Sequence, residues 1–199
     1  MGVVLILSGP PGAGKSFIAS ELVQRKPEWF RMLTVITTRL AQAEDIVHPL
    51  RPDWSEFVTI PREVFGEGLV TRKDFVAARM IGGELFGILH TTVSEVADFP
   101  GCTIGVLPLE YGGGAQDVFQ PLGCRVLRVF LSSPQPLLME RLIGRGEPKE
   151  SAARMLASFE GYERRAVEEG CMVIPNVRSG TGPGTAFAVT LAKVNASAN

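Results

Sequence analysis

Near the amino terminus five apolar residues, Val3-Val4-Leu5-Ile6-Leu7, run directly into Ser8-Gly9-Pro10-Pro11-Gly12-Ala13-Gly14-Lys15-Ser16. A branched apolar run without alternation suits a strand buried on both faces, as in a parallel sheet. Gly9 and Gly14, followed by Lys15-Ser16, have the spacing of a phosphate-binding loop. Glycine at 9, 12 and 14 lets the backbone turn so that its N–H groups converge on phosphate oxygens. Phe17, Ile18, Glu21, Leu22 and Val23 continue as an amphipathic helix that Pro27 ends. The positive end of its dipole points at the same anion. Lys15 can reach the β- and γ-phosphates, and the Ser16 hydroxyl suits Mg²⁺. A chance glycine-rich turn has no reason to lie between a strand and a helix in this order. The chain reads as nucleotide-binding, with Gly9, Pro10, Pro11, Gly12, Ala13, Gly14, Lys15, Ser16 and Phe17 as the nucleotide site and Ser16 as the metal ligand.

A length of 199 residues, 45% of them hydrophobic and 21% charged, fits one globular domain with a real core. The formal net charge of −1 gives no overall positive field for nucleic acid or an anionic membrane. Phosphate binding must then come from local basic clusters. Cys102, Cys124 and Cys171 are far apart and lack metal spacing, so they read as reduced, buried small hydrophobes. The first apolar run lacks a basic leader and is too short to span a bilayer. A cytoplasmic protein, monomer or homodimer, is expected.

Further along, 32–37 reads as a second strand, ending at Thr37-Thr38-Arg39. From 40 to 61 prolines break the pattern into loop with short extended pieces, in which His48 reads as a surface residue. A short helix is expected at 62–65, strands at 69–70, 74–80 and 84–88, a turn at Gly82-Gly83, and a helix at 92–97 capped by Thr91 or Thr92. Residues 103–109 read as a core strand running into a flexible corner at 110–114. Residues 125–131 read as a further strand, followed by a helix that Ser132 or Ser133 caps. One long amphipathic helix is expected over 151–169, a last strand at 171–174, a loose turn at 180–184 and a final helix at 186–194. Strands alternating with helices around a phosphate loop mean an α/β fold with a parallel sheet and crossovers.

Several stretches together resemble the guanylate kinase family of nucleoside monophosphate kinases. They are Gly9 to Ser16, Thr37-Thr38-Arg39, Phe86-Gly87, Phe130-Leu131-Ser132-Ser133-Pro134, and Glu140-Arg141-Leu142-Ile143-Gly144-Arg145-Gly146, with Arg154, Glu160 and Asn176 following in the family's order. The resemblance implies a P-loop kinase: a parallel-sheet core at about 1–34 and 98–199, an acceptor-binding insert at about 35–97, and a short lid at about 144–154. It also implies ATP and Mg²⁺. In the family the positions of Arg141, Arg145 and Arg154 clamp the transferring phosphoryl group, and that of Arg39 takes the acceptor's phosphate. Guanidinium suits both tasks because its N–H groups pair with phosphate oxygens in a fork. Arg141 and Arg145, four apart, fit one face of a helix. Arg39 can alternatively pair with Asp45.

The departures fall in one place. In the family a Ser before Thr-Thr-Arg, a second Arg after it, a Glu on the strand before Tyr-Gly-Thr, the hydroxyls of that motif, and carboxylates after the third core strand hold the guanine nucleotide. Here the corresponding positions are Val35, Gln42, Ala77, Phe86 and Ile88, with Leu109 and Tyr111 in place of the carboxylates. Ala77 cannot accept hydrogen bonds from guanine's N1 and N2, and specificity of that kind rests on paired polar groups. A phosphorylated small-molecule acceptor other than GMP, a nucleotide in the first place, is therefore expected. The acceptor-site residues are Arg39, Val35, Ala77, Glu84, Phe86, Gly87, Ile88, Glu110 and Tyr111. Asp74 and Arg79 are further polar residues of the region.

Four other readings stand beside this one. A ribose 1,5-bisphosphate-type kinase also lacks the guanine-reading carboxylate. A non-catalytic guanylate-kinase-like module typically loses the phosphate loop, which this chain keeps. A nucleotide-hydrolysing switch usually carries an Asp at the end of an apolar strand, and neither candidate strand here ends in one. A kinase of bases within DNA is disfavoured by the near-neutral charge.

Overall fold

The strand β1 (Val3–Ser8) is buried along its whole length, and its alternate residues face two separate cores. Val3, Leu5 and Leu7 share one core with Ile18 and Leu22 of α1 (Lys15–Arg25) and with Leu138 and Leu142 of α5 (Gln135–Gly144). Val4 and Ile6 share the other with Val93 and Val96 of α3 (His90–Asp98) and with Ala115 and Phe119 of α4 (Leu109–Phe119). Side chains on a strand alternate between faces, so an unbroken apolar run demands cover on both. This computed structural model describes residues 2–41, 45–50, 54–81, 83–177, 190, 192 and 194.

The main sheet has five strands in the order β2 (Phe30–Met32), β7 (Cys102–Val106), β1, β8 (Arg125–Ser132) and β9 (Met172–Pro175), all parallel. A second sheet of four runs β4 (Phe57–Thr59), β3 (Val35–Thr37), β6 (Glu84–Leu89), β5 (Phe75–Ile81). Its β3–β6 and β6–β5 pairs are antiparallel. The short helix α2 (Arg62–Glu67) packs Phe65 against Phe75, with ring centroids 4.4 Å apart. Between α5 and β9 lie α6 (Lys149–Ala157) and α7 (Tyr162–Glu168). Among the described residues, no helix is long and apolar enough to cross a membrane. The architecture is α/β with a parallel sheet flanked by helices.

Several local expectations fail, each for a physical reason. The apolar run 32–37 divides between two sheets: Leu33 N–H donates to Ile104 O at 2.7 Å, Thr34 Oγ1 donates to Ser55 O at 2.8 Å, and the chain crosses over there. Leu69 and Val70 have no strand partner and sit in a π-helical turn, with Val70 75% exposed. Residues 110–114 are helical rather than a flexible corner. Burial of Leu109, Ala115 and Phe119 on one face outweighs the roughly 1 kcal/mol cost of each helical glycine. Gly112 leaves room for Arg128, whose Nε would stand 2.9 Å from an added Cβ.

Neither Thr91 nor Thr92 caps α3, which starts after Leu89, and Ser133 is drawn away from α5 by a bond to Asn176 O at 2.6 Å. The expected long helix over 151–169 breaks at Gly161, whose φ of +80° begins α7. His48 is buried, its Nε2 2.8 Å from Pro27 O and 3.0 Å from Phe30 O. Gln42, Gly82, and nearly all of the segments 180–184 and 186–194 lie outside the described residues.

Candidate active site

The phosphate loop connects the C-terminal end of β1 to α1, where ligands collect in open parallel sheets. Gly9 and Gly14 adopt φ of +138° and +94°, and neither has room for a side chain. A Cβ on Gly9 would stand 2.4 Å from Leu131 O, and one on Gly14 would stand 2.6 Å from Asn176 Nδ2. Pro10 and Ala13 are buried, Pro11 is half-buried, and Ser16 and Phe17 are exposed on the first turn of α1. Lys15 folds back across the loop, its Nζ donating to Gly9 O at 2.8 Å and to Pro10 O at 3.0 Å.

Burial, and secondarily the nearby positive charge of Arg145, lowers the Lys15 ammonium to a pKa of about 8. A phosphate beside it favours the charged form and raises that value again. Free Lys15 carries less charge at pH 8.5 than at pH 6.5, so Lys15 itself should take up a fraction of a proton on ATP binding at the higher pH and almost none at the lower, read as the difference between the parent and Lys15→Met. Titration calorimetry in buffers of different ionisation enthalpy measures this uptake, and Lys15→Met should abolish it.

Three residues brace the loop from the sides. Arg141 donates through Nη1 to Gly12 O at 3.0 Å and to Ser133 Oγ at 3.2 Å, and through Nη2 to Asn176 O at 3.2 Å. Asn176 Nδ2 donates to Ala13 O at 2.9 Å. Ser133 and Asn176 stood among the residues that carry the resemblance, but nothing in the sequence signalled their bracing roles. Arg141 lies within α5, whereas Arg145 is its C-cap. Arg145 lies just past the end of α5 and is exposed, yet close enough for its charge to act on both Lys15 and Arg141. Arg154 is exposed in the last turn of α6.

Beyond the loop, a cavity of about 420 Å³ opens between the second sheet and α4. Val35, Ala77, Phe86, Gly87, Ile88, Glu110 and Tyr111 all line it. Leu107, also on its wall, accepts a bond from Ser8 Oγ at 2.8 Å, so the cavity adjoins the base of the phosphate loop. Gly87 is required there, because a Cβ would stand 2.4 Å from the Phe75 ring.

Arg39 and Glu84 do not line the cavity. Arg39 pairs with Asp45 at 2.7 Å, donates to Leu40 O at 3.0 Å and stacks 4.6 Å over Phe57, which is the alternative the sequence left open. Glu84 accepts from the Thr38 hydroxyl, and Asp74 pairs with Arg72 at 3.0 Å.

Glu110 accepts from Tyr162 Oη at 2.6 Å and faces Arg165 at 3.5 Å. Arg165 continues through Glu169 to Arg128, at 2.7 and 2.8 Å. Glu110 is thus held from α7, a tie hidden from sequence because the break at Gly161 sets where Tyr162 points. Among the described residues, no group of three or more His, Cys, Asp or Glu is placed to hold a metal.

No protein-family model matches the chain. It is 28% identical to a guanylate kinase of Novosphingobium aromaticivorans over 85% of its own length and 77% of that protein's. It is also 28% identical to a guanylate kinase of Synechocystis sp., over 87% and 85% of the two chains. A crystal structure of guanylate kinase from Anaplasma phagocytophilum superposes with a TM-score of 0.61, at 16% identity, over 98% of this chain and 86% of that one, and shares its fold. With a glycine-shaped phosphate loop at the end of β1 and 28% identity to guanylate kinases over most of its length, the chain is similar to guanylate kinases and has their fold.

Proposed function

We propose that the chain transfers the γ-phosphoryl group of ATP to a phosphorylated small molecule, a nucleotide in the first place, other than GMP. The relatives are named for guanylate, so the departure needs an observation of this chain's own. That observation is the cavity wall formed by Val35, Ala77, Phe86 and Ile88, on which the resemblance calls for polar groups that read guanine. A guanine placed there would turn N–H donors toward methyl and phenyl groups. Each unpaired buried donor costs about 1–3 kcal/mol, and sites that lose such pairs discriminate steeply.

The donor half is fitted to a triphosphate. Glycines at 9 and 14 leave the loop's backbone bare, Lys15 lies across it, and the exposed Ser16 hydroxyl is available to a metal. Mg²⁺, when bound, neutralises phosphate oxygens. Lys15, with Arg145 beside it, supplies positive charge to the same group, and Arg154 on α6 is the third cation in the set. Arg141 keeps the loop in shape through Gly12 and Asn176 while contributing its own charge. Positioning and charge neutralisation carry most of the acceleration in phosphoryl transfer. An acceptor that is itself a phosphate needs no general base.

ADP release from MgATP, measured against GMP, dTMP, UMP, CMP, AMP and ribose 1,5-bisphosphate with Lys15→Ala as the blank, tests this reading. At least one acceptor should exceed GMP in kcat/KM by about a hundredfold. GMP as the best acceptor would overturn it. ATP binding without turnover on any of them would favour the non-catalytic module.

A further inference from the structure

We infer that Arg79 is the residue that receives the acceptor's phosphate, a specificity-determining contact made from β5 across the mouth of the cavity. The inference rests on the kinase reading above and names the chemistry of its acceptor: a phosphate monoester carried on a weakly polar body.

The cavity is almost wholly apolar, with Arg79 and Glu110 as its two charged lining residues. Glu110 is already engaged by Tyr162 and Arg165. Arg79 is different. Its guanidinium carbon lies 4.3 Å from the centre of the Tyr111 ring, a contact that spends none of its N–H donors on a hydrogen bond. Among the described residues no hydrogen bond or ion pair to Arg79 is found. A guanidinium held over an aromatic ring, with no hydrogen-bond partner among the described residues, is suited to a phosphate's bidentate fork.

Placement agrees. Arg79 is the cross-strand partner of Phe86, and Ala77, two residues before it on the same strand, is the partner of Ile88. All four side the same cavity, so a ring seated on Ala77 and Ile88 has its substituent within the reach of Arg79. Arg39, the other cation of the region, is committed to Asp45 and Phe57 and lies off the cavity wall. A dianion brought into an apolar cavity needs a cation there, and among the described residues that line it Arg79 is the cation with open donors.

The test uses Arg79→Met, which keeps length and contact with Tyr111 but removes the fork, and Arg79→Lys, which keeps only the charge. KM and kcat are measured for the monophosphate that the parent enzyme turns over best among GMP, dTMP, UMP, CMP and AMP. The expected result for Arg79→Met is an acceptor KM raised about thirtyfold or more, with the KM for ATP and the melting temperature near the parent's and partial recovery in Arg79→Lys. An acceptor KM raised less than tenfold, or an equal rise in the KM for ATP, overturns the inference and leaves the kinase reading standing. Failure of the parent enzyme to turn over any of the five overturns the inference, and failure on ribose 1,5-bisphosphate as well overturns both.

Discussion

Lys15→Ala is expected to lower kcat by about a thousandfold or more while leaving the fold intact. The ammonium is held over the loop by the carbonyls of Gly9 and Pro10, and those bonds orient it toward the space the loop encloses. Its removal takes away a charge that matters most when negative charge moves between donor and acceptor. The folded protein has little to lose. Burial and Arg145 already penalise the charged form, as its pKa of about 8 records. Stability should therefore stay within about 1 kcal/mol of the parent's, read by urea unfolding. A loss of turnover accompanied by unfolding would mean that Lys15 is structural.

Gly9→Ala is the second large effect, and here the fold itself is expected to suffer, by about 3 kcal/mol. The new methyl would stand 2.4 Å from Leu131 O at a backbone φ of +138°. Leu131 cannot yield: it is fully buried and paired with Ile174 of β9. The strain instead passes into the loop, so ATP affinity should fall with stability, as thermal unfolding with and without MgATP would show. Gly113→Ala is the control of opposite sign. No atom lies within 4 Å of a Cβ there, and the residue is helical, so stability should rise by up to about 1 kcal/mol. Equal behaviour of the two variants would contradict the steric argument.

The phosphate loop was legible because it is local. Strand, glycines, lysine and helix follow one another, and each residue type answers to a nearby backbone demand. The cavity wall was legible only in composition. Val35, Ala77, Phe86 and Ile88 foretold an apolar wall, and the cavity gathers them. What sequence could not give was pairing across the fold. Glu110 meets Tyr162 and Arg79 meets Tyr111, and each choice depends on how distant elements pack, whereas Arg39 and Asp45, close in sequence, were already an alternative there. The helix over 109–119 was hidden for the opposite reason. Three consecutive glycines argue locally for a corner, and only the buried face of Leu109, Ala115 and Phe119 overrides them. The run 32–37 shows the same limit, because period-two alternation is blind to which sheet a strand joins.

The central claim is that phosphoryl donation is intact while the surface that would read guanine has been replaced. The most direct measurement is the steady-state rate of ADP formation from MgATP with GMP, set beside the rate with the best other monophosphate. The expected result is a kcat/KM for GMP lower by about a hundredfold. A GMP reaction as fast as any other, lost in Lys15→Ala, would contradict the claim.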